Sequence, residues 1–250
     1  MKIIRTVILP RLYAAWALVW FIITMLMIWI PTALLFIFPE PKRTHYFIRI
    51  SRVWMAVYLP IAGVRLKIEG KENFKKGQPY IVVCNHNSFM DIPISSPGIP
   101  GGNKTIAKIE LSRIPLFGMI YKRGSVLVDR KSEQSRKKSY LLMKQVLEQG
   151  LHMCIYPEGT RNKTKDPLKS FKDGAFRLAI ETGTPIMPAV IIGTKEMLPS
   201  HIPFYFRPGK IKMIFLPPVS TKEMNIDELP ALRDKIFDQM WNKISEPVMS

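Results

Sequence analysis

A chain of 250 residues is long enough for one domain with a good core plus a short appendage. A formal net charge of +18 calls for an anionic partner, and 47% hydrophobic residues beside that charge favour a membrane surface over nucleic acid. The two cysteines, Cys84 and Cys154, sit in apolar runs and read as buried thiols of a reducing compartment rather than a disulfide framework.

Residues 12–38 carry no charge, and the run is apolar on every helical face. It exceeds the roughly 20 residues of one bilayer crossing and is too long for a signal-peptide core. Lys2, Arg5 and Arg11 precede it; Lys42, Arg43, Arg49 and Arg52 follow it. Basic residues on both flanks favour a helical pair dipping into one leaflet with both ends cytoplasmic, a single tilted span being the alternative. Residues 43–59 mix Arg49 and Arg52 with Phe47, Ile50, Val53, Trp54 and Val57, as an interfacial amphipathic helix does. Residues 1–60 are therefore expected to anchor the chain in a membrane, and residues 61–250 to form a separate α/β domain.

After Pro60 the pattern changes. Strands are predicted at 64–68, 80–84, about 104–108, 124–130, 151–156, 185–192 and 210–216, alternating with helices at 132–149, about 171–181 and about 227–245. This alternation predicts a mixed, largely parallel sheet flanked by helices. Between Ile92 and Gly102 the residues Pro97, Gly98 and Pro100 stop any helix early, leaving the path to the next strand open.

The apolar run ending at Cys84 is followed by Asn85-His86-Asn87-Ser88-Phe89-Met90-Asp91. On one continuous helix His86 and Asp91 would point about 140° apart, and on one strand to opposite faces. They meet only if the chain turns between them, and Asn87 and Ser88 suit such a turn. A histidine whose ring is held by an aspartate is a general base fixed in one tautomer, while on spacing alone a packed or exposed histidine with Asp91 as a helix cap fits equally well. Ser88 reads as a turn residue, not a nucleophile. The remaining histidines, His45, His152 and His201, are scattered, and no Cys/His spacing suggests a metal.

This stretch resembles the Asn-His-x-x-x-x-Asp block of the glycerolipid acyltransferases. Gly124-Ser125-Val126-Leu127-Val128-Asp129-Arg130, Tyr156-Pro157-Glu158-Gly159-Thr160-Arg161 and Ile186-Met187-Pro188-Ala189-Val190 resemble the second, third and fourth blocks, in the same order. Lys108-Ile109-Glu110-Leu111 and Pro115-Leu116-Phe117-Gly118 also fit. The resemblance spans roughly residues 64–217. It implies acyl transfer from a thioester to a lipid hydroxyl, with His86 as base and Asp91 orienting it.

The third block further implies a lysophosphatidic acid acceptor, esterified at its 2-hydroxyl to give phosphatidic acid. Lys108, Arg130, Glu158, Gly159, Thr160 and Arg161 are then expected at the substrate, the cations on its phosphate and Glu158 on Arg161 or a glycerol hydroxyl. Gly159 is expected to permit close backbone approach, and Gly124 either the same or an ordinary turn into its strand. The acyl donor would be acyl-coenzyme A or acyl-acyl carrier protein, with no cofactor. The catalytic domain is expected on the cytoplasmic face, its basic runs on anionic lipids. Glycerol-3-phosphate or another lysolipid is the alternative acceptor, and a non-catalytic basic membrane-binding protein the alternative class.

Overall fold

The computed structural model describes residues 4–246, with side chains from residue 6. Lys2 and the side chain of Arg5, two of the basic residues before the apolar run, lie outside the described residues. Seven strands form one sheet in the order β1-β7-β6-β2-β5-β3-β4. They are β1 (Val64–Glu69), β2 (Ile81–Cys84), β3 (Asn103–Lys108), β4 (Ser125–Val128), β5 (His152–Ile155), β6 (Ile186–Ile192) and β7 (Gly209–Phe215). Every neighbouring pair is parallel except β6 and β7, so the sheet is mixed and largely parallel, as the alternation of elements predicts.

Alternation along β2 divides the core. Val82 and Cys84 face a layer formed by α1 (Leu9–Leu34), α2 (Lys42–Ile61) and α3 (Asp91–Gly98). Ile81 and Val83 face the other layer, formed after α4 (Phe117–Arg123) by α5 (Glu133–Glu148), α6 (Gly174–Thr182) and, beyond the short α7 (Thr194–Met197), α8 (Leu229–Ser245). A central strand buried on both faces reads as a continuous apolar run, which is what residues 80–84 are. Ser132 caps α5, its side chain accepting the Ser135 N–H.

The apolar segment is one helix with Pro31 inside it, and it doubles back on α2. Trp16 Nε1 donates to the Ile61 carbonyl at 2.9 Å and Trp54 Nε1 to Thr24 Oγ1 at 2.9 Å, which makes the pair antiparallel. Phe21 packs on Trp54 and Tyr58 between them. The hairpin is bolted to the sheet domain along its length. Phe206 N donates to the Pro10 carbonyl at 3.1 Å and Trp29 Nε1 to the Leu116 carbonyl at 3.2 Å. Near the hairpin turn, Lys104 Nζ pairs with Glu40 Oε1 at 2.9 Å. From α2, Arg52 donates to the carbonyls of Pro97, Ile99 and Gly101, satisfying the end of α3. The outer side of α1 stays bare: Leu12, Val19, Met27, Ile30 and Leu34 are all exposed.

Candidate active site

The carboxyl ends of β2, β3, β4, β5 and β6 share one rim, where open α/β sheets bind ligands. At the end of β2 the chain turns sharply into α3, and this corner brings His86 and Asp91 together. His86 Nδ1 lies 2.9 Å from Asp91 Oδ2. The same oxygen accepts the N–H groups of Asn87 at 2.6 Å and Ser88 at 2.7 Å, so the carboxylate is fixed before it meets the ring. Asp91 is fully buried, whereas 16% of the His86 side chain remains accessible. The Nδ1–H donates to Asp91, which leaves Nε2 as the free basic atom.

Around this pair the corner is rigid. The His86 ring stacks on Tyr156 with centroids 4.4 Å apart, and Tyr156 shares a hydrogen bond of 2.7 Å with Ser95 of α3. Burial pushes the Tyr156 phenol well above its ordinary value, so it stays protonated. Asn85 exchanges two hydrogen bonds with the backbone of Ile191, which anchors the corner to β6. Ser88 Oγ donates to the Leu198 carbonyl at 2.7 Å and accepts the Met90 N–H, consistent with a turn residue rather than a nucleophile.

The loop after β5 carries Glu158, Gly159, Thr160 and Arg161. Gly159 sits at φ +71°, a left-handed conformation that excludes most side chains. Arg130, just beyond β4, donates through Nη1 to the Gly159 carbonyl, and Lys169 Nζ donates to Thr160 Oγ1 at 2.6 Å. The Arg161 guanidinium lies 3.7 Å over the centre of the Phe89 ring, a cation–π contact joining this loop to the His86–Asp91 corner. Lys108 ends β3 on the same rim and is exposed.

Glu158, which its block implies at the substrate, is turned inward. It is 2% exposed, and its oxygens accept backbone N–H groups from His86 at 2.6 Å and Lys169 at 3.0 Å. Burial, reinforced by the Asp91 charge, pushes its carboxyl up to about 7 against the pull of those donors. At Gly124 a Cβ would lie 2.6 Å from Cε1 of Phe47, so its smallness admits α2.

One feature escaped the sequence altogether. A cavity of about 740 Å³ lies between the hairpin and the segments around α3 and α4, walled by Ala17, Phe21 and Met25 of α1, Trp54 of α2, and Phe117 and Ile120 of α4. Phe89 and Met90, inside the His86–Asp91 turn, form part of its wall. Apolar residues without clear period, such as Leu111 to Tyr121, gave no sign that they would enclose a space.

The sequence model of the family described as Acyltransferase matches residues 65–192. The chain is 33% identical to the Mus musculus 1-acyl-sn-glycerol-3-phosphate acyltransferase alpha over 183 residues, 71% of this chain and 63% of that protein. It therefore spans a little under two thirds of that relative's length. With the Homo sapiens protein of the same name it shares 32% identity over 209 residues, 79% of this chain and 70% of that one. The crystal structure of the 1-acyl-sn-glycerophosphate (LPA) acyltransferase PlsC from Thermotoga maritima superposes with a TM-score of 0.78 at 26% identity, covering 98% of this chain and 97% of that one.

Proposed function

The chain belongs to the acyltransferase family, and from that premise we propose that it moves a fatty acyl group from a thioester to the 2-hydroxyl of 1-acyl-glycerol-3-phosphate, giving phosphatidic acid. The observation that carries this reading is the oriented His86–Asp91 pair beside an apolar cavity on one side and a basic loop on the other. The names of the relatives support the acceptor.

In the reaction, Nε2 of His86 takes the proton of the 2-hydroxyl as that oxygen attacks the thioester carbonyl. Asp91 stabilises the imidazolium and holds its tautomer. When the tetrahedral intermediate collapses, the carbon–sulfur bond breaks and the sulfur leaves as a thiol with the proton from His86. A positioned base of this kind contributes about 10²–10⁴-fold. The activation comes with the thioester, carried by coenzyme A or acyl carrier protein, so the scheme uses no cofactor.

Lys108, Arg130 and Arg161 supply cations to the acceptor phosphate, with Gly159 and Thr160 shaping the loop that presents them. The cavity takes an acyl chain; its volume falls within the roughly 300–1,000 Å³ of ordinary ligand pockets. Phe89 joins the two halves, lining the cavity and carrying the Arg161 guanidinium over its ring.

Residues 1–60 hold the protein in one leaflet with the catalytic domain on the cytoplasmic face. About 39 Å of helix in α1 is enough to cross a bilayer core of about 30 Å. Yet Pro10 near its start and Trp29 near its end both bond the same α/β domain, so the helix lies along that domain. Such a helix enters the lipid sideways, by its bare face. The reading is tested by an acceptor panel with purified protein in detergent. Product formation is expected with 1-acyl-glycerol-3-phosphate well above glycerol-3-phosphate and zwitterionic lysolipids; the reverse order would replace the acceptor.

A further inference from the structure

We infer that Glu158 is a positioning residue for the base, holding the peptide of His86 rather than the acceptor; this rests on the reading of His86 as the base. The ring of His86 is set by Asp91 and Tyr156, but a ring is only as well placed as the backbone that carries it. Beyond Cys84 the ladders of β2 with its neighbours end, and the His86 peptide has no strand partner. The loop after β5 supplies one on each side. The His86 N–H donates to Glu158 Oε1 at 2.6 Å, and the His86 carbonyl accepts the Asn162 N–H at 2.6 Å.

Both partners are locked. Glu158 Oε2 accepts the Lys169 N–H, which ties the far end of the loop to the same carboxylate. Asn162 is 1% exposed, donates from its side chain to the Asp166 carbonyl, and accepts from Thr164. The carboxylate thus bridges the histidine turn and both ends of the loop bearing Arg161. With each oxygen bonded to an amide and the side chain buried, Glu158 offers no face to a glycerol hydroxyl. The Arg161 guanidinium is stacked on Phe89 instead.

A carboxylate suits this place because it accepts from two amides at once, in charge-assisted bonds stronger than neutral ones. An amide side chain must turn its NH₂ group toward one of those N–H donors. An aspartate keeps the charge but is one methylene short of the bridge. Glu158 is buried, so the fold bears a desolvation cost to keep the carboxylate there.

The test compares two reactions that share the base and differ in the acceptor. Wild type, Glu158→Gln, Glu158→Asp and His86→Ala are assayed in detergent with palmitoyl-coenzyme A, once with 1-oleoyl-glycerol-3-phosphate and once with water alone, following thiol release. A displaced base loses transfer and thioester hydrolysis together, by about 10–100-fold for Glu158→Gln, with the acceptor KM within about threefold of wild type. Glu158→Asp is expected to be no better. Hydrolysis at the wild-type rate with a raised acceptor KM would overturn the proposal and return Glu158 to the acceptor. His86→Ala should remove both reactions; if hydrolysis survives that change, the base reading falls and this role with it. Should the Glu158 variants fail to fold, the wild-type protein decides alone. At a pH above the value of about 7 to which burial raises Glu158, its His86 amide proton is expected far downfield, as a charge-assisted donor, and an ordinary shift there would contradict the bond.

Discussion

Oδ2 of Asp91 lies 2.9 Å from Nδ1 of His86 and is simultaneously the acceptor for the Asn87 and Ser88 N–H groups. One oxygen therefore fixes the turn and the tautomer at once. Asp91→Asn should lower kcat by up to about 10⁴-fold, the loss found when an amide replaces the aspartate of a Ser-His-Asp triad. An asparagine that turns its NH₂ group to this corner faces three donors. Initial-rate kinetics on a variant with an unchanged unfolding midpoint check this; a loss below about tenfold would mean the ring is oriented without Asp91.

Arg161 stacks on Phe89, and in the proposed reaction it also holds the acceptor phosphate. Arg161→Ala should weaken use of the phosphate-bearing acceptor by about 1.5–3 kcal/mol, roughly 10–150-fold in kcat/KM. The uncharged analogue 1-acyl-glycerol should hardly notice. Comparing the two acceptors in one variant separates phosphate binding from loop structure, which would affect both alike.

The His86–Asp91 corner was legible because a constraint stood behind it: the two residues can meet only through a turn, and the turn residues were present. The strands were legible from apolar runs such as 80–84 and 186–192. The reversal of β7 was not, since residues 193–208 include α7 and are long enough to return the chain in either direction. Glu158 was assigned to the acceptor from its block, and nothing in the sequence says which way a carboxylate beside a glycine turn will point. His152 looked incidental. It lies buried at the start of β5, its Nδ1 accepting the Tyr80 N–H at 3.0 Å, and its place in the run 151–156 was the available signal. The cavity depends on α4 and on contacts between segments far apart in the chain, which no local pattern encodes.

These two buried groups predict an unusual dependence of stability on pH. Burial raises Glu158 from 4.5 to about 7, so the folded protein binds more protons than the unfolded chain across that window and stability falls as pH rises. Burial lowers His152 from 6.5 to about 4, so the unfolded chain binds more protons across that window and stability falls as pH drops. Between about 4.5 and 6.5 the two slopes oppose each other. Unfolding midpoints measured across this range should steepen upward with pH in Glu158→Gln and downward in His152→Asn, relative to wild type. Parallel curves for all three proteins would show that neither group titrates as its surroundings dictate.

The hairpin reading fixes which side of the membrane the amino terminus occupies. Ile4→Cys and Lys42→Cys, made separately, should both resist a membrane-impermeant thiol reagent in intact cells and both react after lysis. Cys84 and Cys154 are buried and serve as internal silent thiols. Labelling of position 4 alone from outside would establish a crossing and end the leaflet-embedded arrangement, while leaving the chemistry of the rim untouched.

The central claim, that His86 is the general base of acyl transfer to a phosphate-bearing lysolipid, is tested most directly by His86→Ala. The measurement is thiol release from palmitoyl-coenzyme A with 1-oleoyl-glycerol-3-phosphate, with phosphatidic acid quantified by mass spectrometry on the same samples. With the Ser88–Leu198 bond, the Asn85–Ile191 bonds and the hairpin contacts intact, the variant should fold and bind vesicles as wild type does. Its rate should fall by at least about 10²-fold, with no phosphatidic acid above background. Near-wild-type production of phosphatidic acid by the folded variant would contradict the account.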